Sequence, residues 1–181
     1  MPMSEAAFVT RALAEPDAHW ELHCGQPLRK PDMSFAHNYI SSELADVLRE
    51  QLDRRAFRVR VNMGHVRRSA EGYYIPDVYV VPYGAVQARR HDRELEVYDE
   101  PLPLVIEVWS PFTGGYDVDS KLVEYQRRGD REIWRVHPYE QTLTSWTLQT
   151  DGSYSEHVHH GGIVRPAALP GVSIDLGELF A

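Results

Sequence analysis

Cysteine is almost missing from this chain. Cys24 is the single one in 181 residues, which excludes an internal disulfide and suits a reducing compartment. Long apolar runs are missing too: none approaches the ~20 residues that a membrane-spanning helix needs. The opening Met1-Pro2-Met3-Ser4-Glu5 lacks the basic start and apolar core of a signal peptide. A cytoplasmic protein with no membrane partner is the expectation. There is no Gly-rich phosphate loop of recognised spacing and no Gly-x-Ser-x-Gly elbow. Positive charge is in deficit, with 19 Lys and Arg against 27 Asp and Glu and a net charge of −8. Such a chain repels nucleic acid at long range, so contact with it would have to rest on a local basic patch.

What is present suits one α/β domain spanning 1–181. The 43% hydrophobic and 25% charged fractions are those of an ordinary globular protein long enough for a real core. Ser4 to Ala14 has helical composition, and Trp20 to Arg29 reads as a small hairpin around Gly25 with Glu21 in its first strand. Ile40, Leu44, Val47, Leu48 and Leu52 form a helical stripe, capped by Ser34 or Asp32, with His37 and Glu43 off its centre. Phe57 to Val61 alternates apolar with basic, a strand with one wet face. Tyr73 to Val81 reads as another strand, which puts Ile75, Asp77 and Tyr79 on one face and Val78 and Val80 on the other. Ala85 to Glu100 is polar, a short helix or a long surface loop.

Leu104 to Trp109 is nearly all apolar, the mark of a central strand covered on both faces. Leu104, Ile106 and Val108 share one face; Val105, Glu107 and Trp109 share the other. Thr113-Gly114-Gly115 is a turn. A helix from about Asp117 carries Val118, Leu122 and Tyr125 on one side with Lys121 beside them, and stops at Gly129. Glu132–Val136, Thr142–Leu148 and Tyr154–Val158 read as a meander. Leu169 to Leu176 is a docking segment, followed by a short turn.

The chemistry lies in two acids and a lysine. Carboxylates within apolar strands are costly unless positive charge meets them. Magnesium takes one or two carboxylates plus waters and phosphate oxygens, and phosphodiester hydrolysis needs such an ion. Adjacent strands lie ~4.8 Å apart, so Asp77 and Glu107 can share an ion if their strands pair in register, with Lys121 stabilising the charge that builds up. On spacing alone, Asp77 reads equally as a strand-start acid after Pro76, and Lys121 as a solvated helix residue. Arg58 and Arg60, Arg67 and Arg68, and Arg127-Arg128 are the candidates for nucleic-acid contact, since arginine matches phosphate oxygens in pairs. Neutralising the surface acids is an equally good reading of them. His157, His159 and His160 suit a solvated edge strand better than a zinc site. Cys24 reads as structural.

The order Pro76-Asp77, then Leu104 to Pro111 with Glu107 inside it, then Asp117, Lys121, Tyr125, Gly129, Glu132 and Trp134 resembles the Uma-type restriction endonuclease family of the PD-(D/E)XK nuclease superfamily. Glu21-Leu22, His37 opening a helix, and Leu169-Pro170-Gly171 look like that family as well. The resemblance implies a restriction-endonuclease-like mixed β-sheet flanked by helices, ending here in the C-terminal meander. It implies Asp77 and Glu107 as metal ligands for Mg2+ or Mn2+, DNA as the substrate, and Lys121 as the catalytic lysine. The superfamily's standard motif has that lysine two places after the second acid, where this chain has Trp109. Glu43 or Glu21 would be the extra acid of some members, with His37 and Tyr125 as further auxiliary residues. His137 departs from the family's aspartate before the proline, a change expected to affect a turn. A homodimer is a subsidiary expectation, since two sites cut two strands more easily. A non-catalytic binding module of the same fold and a hydrolase of a small phosphate ester stand as alternatives.

Overall fold

A computed structural model describes residues 1–112 and 119–181. The turn expected at Thr113-Gly114-Gly115 and the helix start at Asp117 and Val118 lie outside the described residues.

Helix α1 (Glu5–Ala14) is capped by the Ser4 hydroxyl, which accepts from the Ala7 amide. After a short turn, β1 (Trp20–His23) and β2 (Gln26–Arg29) form the expected hairpin. Its two-residue loop, Cys24-Gly25, has positive φ at both positions, which matches the twist of the paired strands. Helix α2 (Phe35–Gln51) is capped by Ser34 rather than Asp32. β3 (Phe57–Val61), β4 (His65–Ser69) and β5 (Gly72–Tyr74) follow, then β6 (Val78–Pro82), α3 (Tyr83–Gln87) and β7 (Val97–Tyr98). β8 (Leu104–Val108) and α4 (Lys121–Arg128) precede the meander of β9 (Glu132–His137), β10 (Thr142–Leu148) and β11 (Tyr154–His159). β12 (Ile163–Val164), β13 (Ile174–Asp175) and α5 (Leu176–Leu179) close the chain.

Two sheets organise these elements. The larger has the order β11-β10-β9-β8-β6-β3, mixed because only β8 and β9 run parallel. The smaller has the order β2-β1-β5-β4-β7. The strand expected from Tyr73 to Val81 is therefore two strands in different sheets. Pro76 has no amide hydrogen to give a ladder, and the Ile75 amide donates to the Glu21 carboxylate instead. The chain leaves one sheet at Tyr74 and joins the other at Val78. β4 and β7 add strands that the alternation around Arg67 and Arg68 did not reveal.

The alternation along β6 and β8 sorts the two cores. Val78, Val80, Leu104, Ile106 and Val108 pack with Ile40, Leu44 and Leu48 of α2 and with Leu169, Val172, Ile174 and Leu179 of the C-terminal segment. Tyr79, Val81 and Val105 face the other way, toward Tyr74, Tyr125 and Ile133. The larger sheet is thus covered on both faces, as the apolar run of β8 requires. Among the described residues no helix is long and apolar enough to cross a membrane.

Leu44 sits fully buried between α2 and the sheet. Leu44→Ala is expected to remove about 2–5 kcal/mol of stability, read as a lower urea midpoint with an unchanged slope.

Candidate active site

The crossover between the sheets, Ile75-Pro76-Asp77, is where polar groups gather. The register Val78↔Ile106 makes Asp77 and Glu107 the next facing pair of β6 and β8. Asp77 is buried, and its Oδ2 accepts from the amide of Val108 at 2.7 Å. Its Oδ1 meets Nζ of Lys30 at 2.7 Å, and Nε2 of His37 lies 2.9 Å from Oδ2. Lys30 is itself held in place, donating to Oδ1 of Asn62 at 2.7 Å and to the carbonyl of Ile75 at 2.9 Å. Burial pushes the Asp77 carboxyl up, but Lys30, His37 and then Lys121 more than reverse this. The group is held well below the usual carboxylate range.

Glu107 accepts from the hydroxyl of Tyr125 at 2.5 Å. Burial, followed by the charges of Glu107 and Glu21, pushes the Tyr125 hydroxyl far above its ordinary pKa, so it stays a donor. Lys121, only 1% exposed, reaches Oε1 of Glu21 at 2.8 Å and Oε1 of Glu107 at 3.5 Å. It opens α4 as a continuation of the helical turn at Asp119 and Ser120.

The structure thus brings together Asp77, Glu107, Lys121, Glu21, His37 and Tyr125, from the crossover, β8, α4, β1 and α2. Glu43 is half-buried on α2, about 120° around the helix from His37, and no hydrogen bond or ion pair links it to the cluster among the described residues. Lys30 is the member that the sequence reading passed over. It ends a hairpin beside Pro31, and nothing in its spacing signals a buried ammonium.

The candidate basic residues spend their charge within the chain. Arg60 pairs with Glu96 at 2.8 Å, Arg67 with Glu5 at 2.5 Å and with Asp99, and Arg68 with Glu124. Arg58 donates to the carbonyls of Arg54 and Phe57 and lies over Tyr83. Arg128 is buried on Asp130, while Arg127 at the same helix end is exposed. His137 accepts from the Glu140 amide at 3.1 Å, a contact within the turn after β9. His157 and His159 lie together on the edge strand β11.

Three carboxylates, Asp77, Glu107 and Glu21, offer the hard oxygen donors that a divalent cation such as magnesium takes. Their chemistry fits such an ion in kind. In the arrangement described, Lys30, His37 and Lys121 supply the positive charge, and no group of three or more acidic, His or Cys residues is set in ligand geometry among the described residues.

A mixed sheet flanked by helices is the architecture of restriction-endonuclease-like nucleases. The chain belongs to the Uma2 family, described as putative restriction endonucleases, whose family model matches residues 7–177. Its fold is similar to a crystal structure from Anabaena variabilis described as a putative nuclease belonging to DUF820. That similarity has a TM-score of 0.81 at 20% identity and covers 99% of this chain and 98% of the other. No curated protein matches it.

The lowered pKa of Asp77 makes a prediction about acid stability. A carboxyl whose folded pKa lies below its unfolded value of about 3.9 stabilises the fold above that pH, and this is lost as pH falls through the window beneath it. The stability gap between the native chain and Asp77→Asn is expected to narrow as pH falls below about 4. Urea denaturation in a chelating buffer measures it; a gap that ignores pH would contradict the assignment.

Proposed function

We propose that this chain is a metal-dependent endonuclease that hydrolyses phosphodiester bonds in DNA, with Mg2+ or Mn2+ as cofactor and residues 1–181 forming one nuclease domain. The observation that carries this reading is Lys121. A fully buried ammonium on the helix after β8 bridges Glu21 and Glu107 beside Asp77, in a family described as putative restriction endonucleases.

Asp77 and Glu107 would hold the ion, and Glu21 is the third oxygen donor within reach of the same lysine. The ion, when bound, supplies Lewis-acid charge to a phosphoryl oxygen and lowers the pKa of a water. The remaining work falls to the chain. Lys121 orients the nucleophile or stabilises charge at the phosphoryl group in the transition state, which a preformed cation in a dry site does well. Tyr125 fixes the rotamer of Glu107 through one hydrogen bond. Lys30, His37 and the Val108 amide fix that of Asp77. A homodimer would carry two such sites.

A second reading, a catalytically silent binding module, draws on one observation. The Asp77 carboxylate already has Lys30 and His37 as partners at 2.7 and 2.9 Å, as a site meant to stay metal-free would.

Supercoiled plasmid and single-stranded DNA incubated with the purified chain and magnesium or manganese decide between them. Cleavage is expected, falling by about 10²–10³ in Glu107→Ala and in Lys121→Ala, with circular dichroism checking that each variant is folded. Cleavage that survives either substitution rules out the mechanism. Binding without cleavage under both metals favours the silent module.

A further inference from the structure

Trp109 occupies the strand position two beyond Glu107, and its surroundings bear on which nucleic acid the site takes. The ladder of β8 with β9 extends to it, since its amide donates to the carbonyl of Val136 at 2.8 Å. Its indole stacks on His137, with ring centroids 4.4 Å apart and planes 19° apart. Tyr139 stands edge-on to the same indole at 5.7 Å. The Tyr139 hydroxyl lies 3.4 Å from Oγ of Ser34, and the next residue, Phe35, stacks with Tyr39 at 12°. Three rings at the end of β8 and two on α2 are therefore linked through the Tyr139–Ser34 contact. Tyr139 is 57% exposed and Phe35 86% exposed. Exposed apolar residues scattered singly need no explanation, but a linked row of them does.

This row meets the candidate active site at its Trp109 end, because Trp109 and Glu107 share a face of β8. Phe35 lies two residues before the His37 that touches Asp77, about 160° around α2 from it and on the solvent side. Beside Trp109 and His137 an open cavity of about 340 Å³ is lined also by Arg135, Glu140, Thr144 and His160. Arg135 is the register partner of Glu107, and its only ion pair among the described residues is a long one, 3.5 Å to the exposed Asp119.

Charge argues in the same direction. Duplex DNA is bound chiefly through phosphate contacts that release counterions. This chain carries −8, and Arg60, Arg67 and Arg68 are paired with its own acids. Those three are less available to phosphates, which favours affinity from another source. Aromatic side chains supply it through the faces of unpaired bases.

Resting on the nuclease reading above, we infer that Trp109, His137, Tyr139, Phe35 and Tyr39 form a base-stacking platform, with Arg135 at its edge. The substrate class of the site is then single-stranded or locally unpaired nucleic acid rather than regular duplex. Binding by this route depends only weakly on salt, because few phosphates are neutralised.

Fluorescence anisotropy of a labelled oligo-dT and of a duplex of equal length tests this, using Glu107→Ala protein in magnesium so that binding is separated from cleavage. Oligo-dT is expected to bind tighter than duplex. Its affinity should fall less than about tenfold between 50 and 200 mM salt, against about 10³ or more for a binder making six or more phosphate contacts. Trp109→Ala, Tyr139→Ala and Phe35→Ala, added singly, should each weaken oligo-dT binding on the order of tenfold. Tyr139→Phe should bind as its parent does. The exposed positions of Tyr139 and Phe35 keep the test independent of any folding defect in Trp109→Ala. Absent oligo-dT binding, preference for duplex, a steep salt dependence, or indifference to Tyr139→Ala and Phe35→Ala would each overturn the platform. None of these would disturb a Glu107-dependent cleavage of DNA. Conversely, a native chain that binds oligo-dT through these rings yet cleaves nothing overturns the nuclease reading alone.

Discussion

The negative charge of Asp77, buried where the chain passes from one sheet to the other, sets the terms for everything around it. An ionised carboxylate out of water costs several kcal/mol unless hydrogen bonds and opposite charge replace its hydration. Here Lys30 from the end of the β1–β2 hairpin, His37 from the first turn of α2 and the Val108 amide from the end of β8 do so together. Three separate elements are tied to one side chain. Beside it Lys121 joins Glu21 of the smaller sheet to Glu107 of the larger. Buried ion pairs are a poor way to gain stability, because well-packed apolar residues usually do as well or better. The cost of gathering three carboxylates, two lysines and a histidine there is met by the ion pairs and hydrogen bonds among them.

A second buried polar knot shows the contrast. The Arg128 guanidinium donates to the carbonyls of Tyr98 at 3.0 Å and Glu100 at 2.8 Å and pairs with Asp130 at 3.0 Å. Asp130 in turn accepts from the Leu102 amide at 2.7 Å. These groups bind backbone, and each donor has an acceptor, so the knot is structural. Gly129, with φ of 78°, ends α4 in the left-handed conformation and turns the chain into β9. Helix α4 is thereby fixed at its C-terminal end by Arg128 and at its N-terminal end by the carboxylates on Lys121. The lysine has little freedom to leave the site.

Legibility followed the range of the interactions. Period-two alternation assigned the faces of β6 and β8 correctly, because both faces are buried and side-chain parity is then strongly constrained. Glu107 could be read because a carboxylate amid Leu, Val and Ile is anomalous on its own. The smaller sheet was only half visible. β4 carries Arg67 and Arg68, whose charges are neutralised by α1, α4 and the loop after β7, and no local pattern encodes such partners. Lys30 and Arg128 were hidden for a related reason. Each looks like an ordinary surface cation until distant backbone carbonyls and one carboxylate close around it. The break at Pro76 was written in the sequence, yet its consequence, a change of sheet, depends on Glu21 taking the Ile75 amide from 54 residues away.

The position of Trp109 connects the two halves of the functional reading. The superfamily motif that this chain resembles places a lysine two residues after the second acid, on the same strand face and so beside the ion. Here the ammonium arrives instead from α4, through Lys121. Parity still directs residue 109 to the face that Glu107 occupies, one step nearer the strand end. Moving the lysine to a helix leaves that place open to another side chain, and an indole stacked on His137 fills it. A charged group there would add to a cluster already holding two lysines and a histidine. An aromatic one adds no charge and extends the site toward solvent. An acidic chain in which Arg60, Arg67, Arg68 and Arg128 answer its own carboxylates gains no further positive charge at that place.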